Sequence, residues 1–119
     1  RDPYAAIVVP ARSARLRHLR KYAEGNLGPG SFFFRGPAAR MNLRAQNLTA
    51  FCDIASGIDD DTWLFHLGRG DYSAWLADTV KDDDLAREVA GIERAAALAP
   101  SESRRLIRDA IDRRYMLPA

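Results

Sequence analysis

Residues 31–84, SFFFRGPAARMNLRAQNLTAFCDIASGIDDDTWLFHLGRGDYSAWLADTVKDDD, hold the chain's five Phe, both Trp and its single Cys, bracketed by Gly, Asn and Asp. Aromatic side chains bury large areas and must be shared between neighbouring elements, while Gly and Asx residues mark where elements begin and end. So dense a framework constrains the fold tightly. It contains no recognisable catalytic constellation, and it names an architecture before it names a reaction.

Composition sets the outer limits. A chain of 119 residues, 47% hydrophobic and 29% charged, is sized for one domain with a single core and lies outside the disordered class. Its apolar runs, such as Ala5 to Val9, fall far short of the roughly 18 residues that a membrane span needs. The opening Arg1-Asp2-Pro3 has no hydrophobic core or cleavage pattern behind it, and an Arg start points to a fragment excised from a longer protein. One cysteine, Cys52, excludes an internal disulfide and fits a reducing, cytoplasmic setting.

A formal charge of +2 hides a split. Residues 1–44 carry a net +7 and the remainder a net −5. Such asymmetry marks either an arm facing an acidic partner or two halves that attract each other.

Patterning predicts the elements. Tyr4 to Val9 is a β-branched run stopped by Pro10, so residues 1–12 read as a third strand or as a tail or linker from a preceding domain, and 13–119 as one accessory domain. Ser13 caps a helix through about Tyr22, with Leu16, Leu19, Tyr22 and Ala23 inward and Arg17, Arg20 and Lys21 outward. Phe32-Phe33-Phe34 and Met41-Asn42-Leu43 flank Gly36-Pro37-Ala38-Ala39 as a hairpin. Helices follow from Gln46 or Asn47 to Gly57, from Asp59–Asp61 to a break at Gly68 and Gly70, from an Asp71 cap through Val80, from Asp83 or Asp84 through Ala96, and from a Ser101 cap to Tyr115. Pro118 stops the last. Their apolar faces carry Leu48, Phe51, Cys52 and Ala55; then Trp63, Leu64 and Leu67; then Tyr72, Trp75, Leu76, Thr79 and Val80; then Leu85, Val89 and Ile92; then Ile107, Ala110, Ile111 and Tyr115. The fold class is α+β: a short hairpin, with the N-terminal run as a third strand if it joins, packed on five or six helices.

The residues with chemical potential are few. His18 and His66 have no second His or Cys at metal-ligand spacing, which argues against zinc. Cys52 lies on an apolar helix face, where an inert thiol is the ordinary outcome. The two Asp triplets precede helices and read as caps, without the closing Glu of an EF-hand. Gly28-Pro29-Gly30 is neither a P-loop nor a dinucleotide fingerprint, and Arg69-Gly70-Asp71 spells an adhesion tripeptide across a helix break. The strongest binding signal is the basic surface: Arg12, Arg15, Arg17, Arg20 and Lys21 on the first helix, with Arg35, Arg40 and Arg44 on the hairpin. Triple Phe beside Arg is similar to the stacking platforms of single-strand binders, although alternation sends part of that run into the core.

Three stretches, FFFRGPAARMNLRAQNLTAF, DDDTWLFHLGRGDYSAWLADTVKDDDLA and SRRLIRDAIDRRYMLP, carry a family resemblance over about residues 18–118. They resemble an uncharacterised bacterial domain family with an aromatic strand, an N-L-R-A-like return strand, a W-x-x-H-x-x-x-G-D-[YF]-x-x-W segment spanning Trp63, His66, Gly70, Asp71, Tyr72 and Trp75, and a closing R-R-Y-x-x-P. In similar chains the module sits C-terminal to a haloacid-dehalogenase-type hydrolase. That hydrolase's D-x-D nucleophile motif, downstream Lys and acidic magnesium ligands are not in these residues, since Asp59-Asp60-Asp61 follows a helix end and not a buried strand. The resemblance implies a non-catalytic accessory module, with no catalytic, metal or cofactor site of its own and any hydrolase activity upstream. Its partner would be another domain of the parent chain or a separate protein, met through Arg17, Arg20, Lys21, Arg35, Arg40, Arg44 and His66. The alternatives are a phosphate- or nucleic-acid-binding module using the basic N-terminal surface, which is less favoured, and a small enzyme centred on His66 and Asp71. No membrane role is expected.

Overall fold

A computed structural model describes residues 3–95 and 97–116, with side chains from Ala14 onward. The order is helix α1 (Pro3–Glu24), strands β1 (Phe32–Phe34) and β2 (Leu43–Ala45), then helices α2 (Leu48–Gly57), α3 (Asp60–Arg69), α4 (Asp71–Trp75), α5 (Asp83–Glu93) and α6 (Pro100–Ile111). Wider π-type turns, Leu76–Val80 and Asp112–Met116, extend α4 and α6. This is an α+β fold, a two-stranded antiparallel hairpin packed on helices.

The N-terminus departs from expectation. The Tyr4 to Val9 run is helical and continuous with the basic segment, so the helix starts at Pro3 and not at Ser13, and the run adds no third strand. Strand preference in a short β-branched run is weak, and extending a helix already nucleated next to it needs little. Leu16, expected inward, is 50% exposed, while Tyr22 and Ala23 are buried and Leu19 packs against the core.

The hairpin pairs Phe32 with Ala45, Phe33 with Arg44 and Phe34 with Leu43. The return strand is therefore shifted towards the C-terminus, and Met41 and Asn42 belong to the turn. The connection is wide because Ala38 and Ala39 both take left-handed backbone angles, with φ of 57° and 50°. Strand alternation sends Phe32 and Phe34 into the core and leaves Phe33 half-buried.

Caps explain the helix boundaries. The Asn47 side chain accepts from Ala50 N (2.8 Å), and Asp59 accepts from Thr62 N (3.0 Å). Asp82 accepts from Leu85 N (3.0 Å), so it caps α5 in place of Asp83 or Asp84. Gly70, at φ 72°, ends α3 in the left-handed conformation that glycine adopts most easily, while Gly68 lies within the helix. Asp71 does not cap α4. The Glu93 carboxylate, arriving from α5, accepts from the Tyr72 and Ser73 amides at 3.1 and 3.2 Å. Burial holds this carboxyl above the usual range. No side chain caps α6: Ala99 occupies the cap position, and Ser101 is exposed one residue after Pro100. Ala96 and Pro118, expected at the ends of α5 and α6, lie outside the described residues.

One core joins the elements. Phe32, Phe34, Phe51, Trp63, Tyr72 and Trp75 are buried and packed edge-to-face or stacked, as Trp63 on Tyr72 at 4.4 Å between ring centroids. Their polar atoms are satisfied: Trp63 Nε1 donates to Ser103 Oγ, Tyr72 OH to the Trp63 carbonyl and Trp75 Nε1 to the Gly30 carbonyl. Leu64, expected inward beside Trp63, is 41% exposed, and Thr79 is only half-buried. Among the described residues no helix is long and apolar enough to cross a membrane.

Candidate functional site

His66 projects from the last turns of α3 into the junction between that helix, the hairpin and the start of α4, and is 5% exposed. Its Nδ1 lies 2.8 Å from Asp71 Oδ2. On the other side Nε2 accepts from two successive backbone amides, Arg35 N at 3.1 Å and Gly36 N at 3.2 Å. Two donors aimed at one nitrogen require its lone pair, so the proton resides on Nδ1 and is donated to Asp71. The ring thus fastens the hairpin exit to the α3–α4 corner.

The surroundings are built for that bond. Gly36 sits at φ 73°, and a Cβ there would come within 2.8 Å of the buried Thr62 Oγ1. Only glycine brings this amide so close to α3. Asp71 is fixed in turn by Arg69, whose Nε lies 3.2 Å from the same Oδ2. Edge contacts with Phe32 and Phe65 close over the imidazole.

Above this pin lies an open groove of about 540 Å³, with His66 and Asp71 at its floor and Phe33, Arg35, Phe65 and Arg69 along its sides. Arg35 lies over the Phe33 ring and Arg69 over the Phe65 ring, each 5.1 Å from the centroid. The groove can hold a planar or anionic group between cations. The nitrogen that a general base would use is occupied by the backbone.

Of the residues expected at a binding site, the structure brings Arg35 and His66 together. Arg40 turns away to Asp59 (3.2 Å) and Asp61 (3.8 Å), and Arg44 donates to Gln46 (3.2 Å). Arg17, Arg20 and Lys21 are exposed on α1. None of the three has a carboxylate within salt-bridge distance among the described residues, so the acidic half does not neutralise them there. That half spends its charge elsewhere: on helix caps, on Arg104 through Asp60, and on Arg113 and Arg114 through Glu88, whose carboxyl the two guanidinium hydrogen bonds hold below the usual range. Sequence reasoning missed Phe33, Phe65 and Arg69 as a set. The available signal was the central position of Phe33 in a strand and the Phe65–Arg69 spacing, which puts the two side chains on one helix face.

The other groups with chemical potential are committed to the fold. Burial pushes the Cys52 thiol up to about 12 and raises the Tyr72 hydroxyl as well. His18 Nε2 meets Tyr115 OH at 2.9 Å, and that hydroxyl donates to Asp82 at 2.7 Å, tying α1 to the end of α6 and the start of α5. Among the described residues no group of three His, Cys, Asp or Glu side chains is placed to hold a metal ion.

Comparison of the chain with known family models, curated proteins and solved structures finds no match.

Proposed function

We propose that this domain is a non-catalytic interaction module of a larger bacterial protein, the C-terminal part of a haloacid-dehalogenase-like hydrolase, and that it docks an acidic surface of its own parent chain or of a separate protein. The observation that carries the non-catalytic reading is the two-sided bonding of His66. The histidine of the resemblance motif spends both ring nitrogens on holding the hairpin to α3 and α4, which leaves neither nitrogen free to act as a base or acid in the groove. Docking rests on α1, where Arg17, Arg20 and Lys21 are exposed with no carboxylate partner among the described residues. Exposed, unpaired cations of one sign steer and orient an acidic partner more than they stabilise the fold.

The test combines activity and binding. The chain should show no magnesium-dependent turnover of a phosphate ester, and should bind a Glu/Asp-rich peptide with an affinity that falls with salt. Arg17→Glu with Arg20→Glu should abolish that binding and leave the melting temperature unchanged. Clear turnover by the pure chain would sink the proposal.

A second reading, binding of phosphate or single-stranded nucleic acid, is favoured by the groove, where two Phe each lie beneath an Arg. It predicts a salt slope of about −0.7 per phosphate contact for a single-stranded oligonucleotide and loss of binding on Phe33→Ala. The acidic-partner reading predicts neither.

A further inference from the structure

A second concavity, of about 300 Å³, opens between α2 and α6 and shares no lining residue with the hairpin groove. Its floor is apolar, formed by Phe51, Cys52 and Ile107, which are 2%, 8% and 1% exposed. The rim carries three arginines from one stretch of α6, Arg104, Arg105 and Arg108, with Ser101 one turn before them on the same helix and Ser56 from α2.

The three cations are held differently. Arg104 is built into the wall: it lies over the Trp63 ring at 5.5 Å, donates to Asp60 Oδ1 and to the Ile58 carbonyl, both at 2.7 Å, and is mostly buried. Arg105 and Arg108 reach only carboxylates on their own helix, Asp109 at 3.6 Å and Asp112 at 3.7 Å, beyond hydrogen-bond length. Both side chains are about three-fifths exposed, at 61% and 59%. Such exposed pairs contribute little and are readily exchanged for a better-placed anion. Guanidinium groups on a rim above a dry floor form a receptor for a molecule with an anionic head and an apolar body. A volume of about 300 Å³ lies at the small end of ligand pockets and suits a single ring with one charged group.

We propose that the α2–α6 cleft is a binding site for a small amphipathic anion, with Arg105 and Arg108 holding its carboxylate or phosphate and Phe51, Cys52 and Ile107 receiving its apolar body. The site is independent of the docking face of α1 and uses none of its residues. A neutral floor suits that body, since the Cys52 thiol stays protonated at physiological pH.

The test uses the full chain, labelled with ¹⁵N and titrated with benzoate, phenyl phosphate, benzyl alcohol and inorganic phosphate. Shifts are followed at Ser56, at Ser101 and at the Trp63 indole N–H, which donates to Ser103 at 2.8 Å beside the cleft. At least one of the two ring-bearing anions should shift these signals with affinity about tenfold or more above that of either benzyl alcohol or inorganic phosphate. Preference for phenyl phosphate assigns a phosphate head, and preference for benzoate a carboxylate. Arg105→Gln with Arg108→Gln should weaken binding about tenfold with no change in melting temperature, and Ser56→Trp should block the cleft from its rim. Absence of binding by both anions, equal affinity for the neutral alcohol, shifts confined to other faces, or full binding by the double variant would each overturn the proposal.

Discussion

The hairpin junction and the first helix handle polar groups in opposite ways. Around His66 the ring nitrogens are paired with Asp71 and with two backbone amides, Asp71 also with Arg69, and the indoles and phenol of the core with carbonyls or a hydroxyl. On α1 the cations Arg17, Arg20 and Lys21 stand exposed with no carboxylate partner among the described residues. The contrast separates polar groups spent on the fold from cations that carry no such load. A buried histidine beside an aspartate has the composition of a catalytic pair, yet the pair is consumed by architecture. A set of ordinary surface arginines has no such signature, yet remains available.

The sharpest challenge to that contrast is core truncation. Trp63 is fully buried, and Trp63→Ala should lower stability by about 3–5 kcal/mol in urea unfolding. A much smaller loss would mean that the junction is not the centre of the core.

Next comes the pin itself. His66→Ala orphans the Arg35 and Gly36 amides, while Asp71 Oδ2 keeps Arg69, and each buried group left unpaired costs about 1–3 kcal/mol. Asp71→Asn preserves an acceptor for Nδ1–H and should cost less. Equal losses would indicate that charge at Asp71, and not its hydrogen bond, is what matters.

On α1 the expectation reverses. Arg17→Glu with Arg20→Glu should move stability by no more than about 0.5 kcal/mol while removing binding to an acidic peptide. A fall in stability comparable to that of His66→Ala would erase the distinction between the two regions.

The smallest effect concerns acid. Hydrogen bonds from Thr62 hold the Asp59 carboxyl below its ordinary value. A carboxyl depressed in the folded state contributes stability that is complete above its unfolded pKa of about 3.9 and is lost as pH falls through the lower folded value. Asp59→Asn keeps an acceptor for the α3 cap but cannot titrate, so its stability should fall less steeply below about pH 4 than that of the parent chain. Parallel acid limbs would show that the cap does not depend on charge.

Much of the architecture was legible because local signals agreed. Asn47, the Asp59–Asp61 run and Gly70 marked helix limits, and the period of Phe51, Trp63, Tyr72 and Trp75 marked the core. The failures have two sources: a partner that arrives from elsewhere in the chain, and a local backbone conformation that the residue types do not announce. Asp71 reads as a cap until Glu93 arrives from α5 to take the amides of α4 and frees Asp71 for His66. The return strand reads as starting at Met41 until Ala38 and Ala39 turn left-handed and widen the loop. At the site, His66 was marked by its motif spacing, but its backbone partners on the hairpin could not be read from sequence. The arginines at the α2–α6 cleft were invisible for the same reason, since on α6 alone they look like a solvated helix face.

The protonation of the His66 ring tests the central claim most directly, by long-range ¹H–¹⁵N correlation at neutral pH. A neutral ring with its proton on Nδ1 and an unprotonated, hydrogen-bonded Nε2 is expected, because Arg35 N and Gly36 N both donate to Nε2. A proton on Nε2 would contradict it, breaking the pin and returning His66 to the groove as a free acid or base.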